Sequence, residues 1–148
     1  MTRLEGMVSL LLAAGLVGCM PGPRSGAGLR LPDGDVDHGR AVFVAMKCHA
    51  CHRVAGVDLP EPVADPPVPV VLGGERPYPR TDGDILTAIV NPSHRIVPAG
   101  KAELVQAGGL SRMGDFRDAM TVGELVDLVA FVQSRYTVAR PPDYYGMR

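Results

Sequence analysis

Three stretches of the 148-residue chain repeat their apolar positions at helical spacing. After Thr121, the residues Leu125, Leu128, Val129 and Val132 recur at i, i+3, i+4 and i+7, the mark of a helix with one buried face. Thr121 followed three residues later by Glu124 reads as a capping box at its start, and the helix is expected to close near Arg135–Tyr136, ahead of Pro141-Pro142. Nearer the front, Val36, Val42, Phe43 and Met46 form an apolar stripe on a helix expected from about Val36 to Lys47, with Asp35 or Asp33 as N-cap. Gly39 inside it would let another backbone come close. A middle helix is expected to begin near Thr81–Asp82, to turn Ile85, Leu86, Ile89 and Val90 inward, and to stop at Asn91-Pro92. No segment sustains a period of two. The expected fold class is all-α: a small helical domain with long proline-rich loops.

Between the first and middle helices, residues 53–80 hold Pro60, Pro62, Pro66, Pro67, Pro69, Pro77 and Pro79, seven of the chain's 14 prolines, which excludes a helix there. Ahead of the first helix, residues 7–17 are an uncharged apolar run, too short for a bilayer-spanning helix of about 20 residues but the length of a signal-peptide core. That run ends Leu16-Val17-Gly18-Cys19, which resembles a bacterial lipobox. The resemblance implies cleavage before Cys19, acylation of its thiol, and a membrane attachment through several acyl chains, which hold where one is marginal. Residues 1–18 then form the leader, and the Pro/Gly-rich residues 19–35 a tether. Residues 36–136 form the domain, and 137–148 a C-terminal tail. The expected location is the periplasmic side of a bacterial membrane.

Charge and composition narrow the function. Fifteen Lys and Arg balance 16 Asp and Glu for a net charge of −1, so no basic surface marks a nucleic-acid binder. With no Trp, four Tyr and three Phe, the core is poor in large rings, and a bulky buried group not encoded by the chain would help to fill it. Three cysteines is an odd number and excludes a simple disulfide framework.

The cysteines' positions are more informative. Residues 48–52 read Cys-His-Ala-Cys-His, the C-x-x-C-H signal for c-type haem attachment. Two thiols three positions apart on one turn can each add to one of the two vinyl groups of haem, and the following His52 falls beneath the ring as an iron ligand. With three cysteines and four histidines in the chain, the chance expectation for the pattern is on the order of 0.002. A redox pair lacks a surrounding βαβ pattern, and a zinc site lacks a second ligand pair.

The stretch Gly39-Arg40-Ala41-Val42-Phe43 through Cys48-His49-Ala50-Cys51-His52 resembles the opening of class I, cytochrome c-like domains. The stretch Ser111-Arg112-Met113-Gly114-Asp115-Phe116, with the helix after Thr121, resembles that family's methionine loop and C-terminal helix. The resemblance implies haem c bound covalently through Cys48 and Cys51, and crossed terminal helices with Gly39 facing the Phe131 region. It also implies a methionine opposite His52, for which Met113, Met120 and Met147 are candidates. Met113 is preferred because its Gly-rich loop can aim a side chain; Met120 abuts the last helix and Met147 lies near the chain end. The family usually has proline after this methionine, where this chain has Gly114. A proline carbonyl in the family usually accepts from the axial imidazole, and Pro69, then Pro67, are the candidates here. His49 is expected in solvent, and His38 and His94 in surface or capping roles.

His/Met coordination leaves iron no open position and suits one-electron transfer. The expected function is a monohaem carrier between membrane or periplasmic redox proteins, not an enzyme. The alternatives are a dedicated cytochrome subunit of one dehydrogenase or oxidase complex, and a haem peroxidase or gas sensor with a labile sixth ligand.

Overall fold

A computed structural model describes residues 29–61, 70–96 and 106–139. Three α-helices lie in these residues: α1 (Val36–Ala45), α2 (Asp82–Val90) and α3 (Val122–Gln133). Each begins at the expected cap. The Asp35 carboxylate accepts from the N–H groups of Asp37 and His38, while Thr81 with Asp84 and Thr121 with Glu124 form reciprocal capping boxes.

The helices exist because their apolar faces have each other to bury against. Val42 and Phe43 of α1, Ile85 and Ile89 of α2, and Leu128, Val129, Phe131 and Val132 of α3 form one core cluster, joined by Val54. Phe43 and Phe131 meet edge to face with ring centroids 5.5 Å apart. The α1–α3 crossing depends on Gly39: a Cβ placed there would lie 1.9 Å from the Asp127 carbonyl oxygen and 2.9 Å from Phe131 Cβ. Asp127 fastens the same crossing from outside, accepting from the Asp35 N–H at 2.8 Å and from His38 Nδ1 at 2.7 Å.

Short strands join these helices, a correction to the all-α expectation. β1 (His52–Val54) pairs in parallel with β2 (Val70–Leu72), and β3 (Gly74–Arg76) in parallel with β6 (Tyr136–Val138). β4 (Gln106–Ala107) and β5 (Leu110–Ser111) form a small antiparallel hairpin around Gly108-Gly109. Strands of two or three residues carry no readable alternation, so the sequence pattern could not announce them. Gly73 and Gly74, with φ of 85° and 78°, turn the chain between β2 and β3 and so switch its pairing partner from β1 to β6.

The helix ends also move. α1 stops at Ala45 rather than near Lys47, because Lys47 takes the left-handed conformation (φ 58°, ψ 26°). α3 stops at Gln133, and Tyr136 belongs to β6. Ahead of α1, Leu31 packs against the core, and after α3, Thr137 and Val138 lie in β6. Residues 1–28, including Cys19, lie outside the described residues, as do Pro67, Pro69 and Met147. Among the described residues no helix is long and apolar enough to cross a membrane.

Candidate haem site

The end of α1 sets up the site. The left-handed Lys47 turns the chain into a single 3₁₀ turn, Cys48–Ala50, closed by the Cys51 N–H donating to the Cys48 carbonyl at 3.2 Å. One turn therefore carries both thiols, as their spacing required. Cys48 is half-buried and packs against the core cluster, while Cys51 is exposed. Burial pushes the Cys48 thiol up to about 11, so it is neutral at ordinary pH.

His52 follows at the head of β1, where pairing with β2 fixes its backbone. The Val70 N–H donates to the Cys51 carbonyl at 3.2 Å, and His52 Nδ1 lies 3.2 Å from the Val70 carbonyl oxygen. A carbonyl only accepts, so Nδ1 carries the proton and Nε2 presents its lone pair for coordination. Burial lowers the imidazole's pKa and the Val70 contact opposes this in part; the neutral form that a metal ligand needs is favoured. The expectation is a proline carbonyl, that of Pro69 or Pro67; the carbonyl that faces Nδ1 belongs to Val70. The parallel register His52↔Val70 dictates this, and a strand of three residues gives no sequence signal for it.

Met113 lies in the irregular stretch after β5, half-buried, and packs against the same core as Cys48. Its N–H donates to Ser111 Oγ at 3.1 Å, and the Ser111 N–H donates to Ser93 Oγ at 3.1 Å. Met120 also packs against the core, immediately before the N-cap of α3. Further along the loop, Arg117 holds the Asp115 carboxylate down to about 2 by direct hydrogen bonds.

The remaining histidines separate from this group. His38 is on the surface, paired with Asp127, and that bond raises its pKa. His94 is exposed in a turn after α2. His49 departs from expectation: it is half-buried, and its buried Nδ1 has no partner among the described residues. All three residues of the tight Cys48–Ala50 turn are half-buried, so none projects freely into water.

The donor set fits a haem better than a bare ion. Among the described residues no three His, Cys, Asp or Glu side chains gather to hold a metal. Instead one imidazole with its lone pair on Nε2 adjoins two thiols, and Met46, Leu72, Leu86, Val90, Phe116 and Leu125 supply half-buried apolar surface against the core. A flat hydrophobic ring tethered by thioethers takes its protein ligands singly from two sides and needs no such cluster.

A family model described as Cytochrome c matches residues 36–135. The chain belongs to this family, as a class I c-type cytochrome. It carries covalently bound haem c, for which Cys48 and Cys51 have the required spacing, and it is a haem-based electron-transfer protein. No curated protein and no solved structure matches the chain.

Proposed function

We propose that this chain is a monohaem carrier that passes one electron at a time between redox proteins, with His52 and Met113 as the two axial ligands of the iron. The observation that carries the reading is the pinned imidazole: His52 directly follows the turn bearing both thiols, with Nδ1 committed to the Val70 carbonyl, which leaves the ring's lone pair on Nε2. When bound, haem supplies a one-electron couple whose potential is raised by a His/Met ligand pair. His52 offers a neutral, oriented nitrogen. Met113 brings its thioether from a loop packed on the core, and the residues around it exclude water. With both positions taken, the site favours electron transfer over binding of oxygen or peroxide.

Exposed apolar side chains suit brief encounters with partners. Val70, whose carbonyl faces His52, its neighbour Val71, and Leu110 on β5, three residues before Met113, are all exposed. Such small apolar areas fit transient redox contacts rather than a permanent interface. The proposed setting is the periplasmic side of a bacterial membrane, through a lipid on Cys19; this rests on the residue 7–19 pattern.

Redox titration with visible spectra tests the ligand assignment. Met113→Ala should lower the potential and abolish the far-red band of methionine-ligated ferric haem; an unchanged spectrum would move the ligand elsewhere. Cys19→Ser should shift the protein from the membrane to the soluble fraction on cell fractionation; retention in the membrane would refute the anchor.

A further inference from the structure

We propose that Ser93 and Ser111 are positioning residues for the axial methionine, acting in series as a two-hydroxyl ladder that ties Met113 to helix α2. The inference rests on Met113 being the iron's sulfur ligand, and it gives the turn after α2, Asn91-Pro92-Ser93-His94, a role beyond ending that helix.

The need for such a tie is local. Residues 112–115 have no helix or strand, and β5 is two residues long, paired among the described residues only with the equally short β4 across a turn of two glycines with positive φ. An isolated hairpin of this size is marginal in water and cannot fix the loop that follows it. Strand pairing therefore does not account for the loop's position.

The hydrogen bonds do. Met113 N–H donates to Ser111 Oγ, and Ser111 N–H donates to Ser93 Oγ, both at 3.1 Å. Ser93 is itself held by the end of α2. The Asn91 N–H donates to the Thr87 carbonyl at 2.8 Å and the His94 N–H to the Asn91 carbonyl at 2.9 Å, so residues 91–94 form a closed turn. Pro92 removes backbone freedom within that turn. α2 is anchored in turn by buried Ile85 and Ile89. A continuous path of backbone and hydroxyl bonds thus runs from the core to the Met113 backbone.

Ser93 is exposed and Ser111 half-buried, so each bond replaces one to water and is worth about a fivefold change in an equilibrium constant. The equilibrium in question is detachment of the thioether. An added ligand that takes the same coordination position binds in proportion to the detached fraction. Weakening the ladder therefore raises that ligand's apparent affinity by the same factor. Because the bonds lie in series, cutting either undoes the tie to α2, and cutting both adds nothing further.

The test uses the ferric holoprotein and free imidazole as the competing probe, read by loss of the far-red methionine band, with thermal unfolding by circular dichroism alongside. Ser93→Ala and Ser111→Ala should each raise imidazole affinity about fivefold, the double variant no further, and Ser93→Thr should restore the wild-type value. Single variants within twofold of wild type overturn the proposal, as does a double variant near the product of the two effects. A lowered melting temperature with unchanged imidazole affinity identifies a merely structural role and also overturns it. Should one variant fail to fold, the other single variant carries the same comparison. Met113→Ala separates the two levels: a retained methionine band removes the ligand assignment and the ladder together. A lost band with silent serine variants removes the ladder alone.

Discussion

Replacing Gly39 by alanine tests the helix crossing on which the fold depends. The added methyl group would sit 1.9 Å from the Asp127 carbonyl oxygen and 2.5 Å from its carbonyl carbon, both backbone atoms of α3 that cannot rotate aside. Ordinary contact begins near 3.4 Å, so α1 and α3 must part by about 1.5 Å at the crossing. That movement loosens the Phe43–Phe131 contact and stretches both hydrogen bonds to Asp127. Overpacking of this kind costs about 3 kcal/mol, while the change from glycine to alanine within a helix returns about 1 kcal/mol. The net loss of about 2 kcal/mol should lower the melting temperature by roughly 10 °C in a domain of this size. The control is Gly123→Ala in the first turn of α3, where the new Cβ would meet only Thr121 Oγ1, at 3.9 Å. There the propensity gain is unopposed, and the protein should be unchanged or stabilised by up to about 1 kcal/mol. Thermal unfolding of both holoproteins, followed by circular dichroism, makes the comparison. A Gly39→Ala protein melting at or above wild type would refute the claim that backbone contact at this residue sets the crossing.

Two further predictions concern the loop and the surface pair. At Gly114 a Cβ would contact the Phe116 ring at 3.7 Å and 3.8 Å without strain, so Gly114→Ala should stabilise the holoprotein by about 0.5 kcal/mol through the unfolded chain; denaturant melts showing a loss would contradict it. The His38–Asp127 pair raises the His38 pKa and lowers that of Asp127. Its contribution is therefore greatest between their unfolded values, about pH 4 to 6.5, fading as pH rises through the raised histidine value or falls through the lowered carboxylate value. Between pH 6.5 and 8 the melting temperature of wild type should fall relative to His38→Gln; parallel profiles would show that the pair carries no linkage.

The parts of this molecule legible in the sequence are those with local causes. Asp35, Thr81 and Thr121 satisfy the first N–H groups of their own helices, so side-chain chemistry announces each start within three residues. Gly39 was readable because a glycine inside an apolar helical stripe needs a reason. The Cys48–His52 motif was readable because covalent attachment demands a fixed spacing. What escaped depends on residues that meet through the fold. The carbonyl facing His52 belongs to Val70 because of a strand register that three residues cannot advertise. His49 is covered because the turn around it packs inward. Ser93 and Ser111, 18 residues apart, share no period or motif, and only the folded chain brings a hydroxyl of one to the amide of the other.

The tie between Asp127 and the Asp35 amide spans 92 positions and has a consequence for folding order. A polypeptide is made front end first, so the apolar face of α1 has nothing to bury against until the last helix is complete. A chain that ends before Val122 therefore leaves Val42 and Phe43 uncovered, however well α1 is capped at its own start.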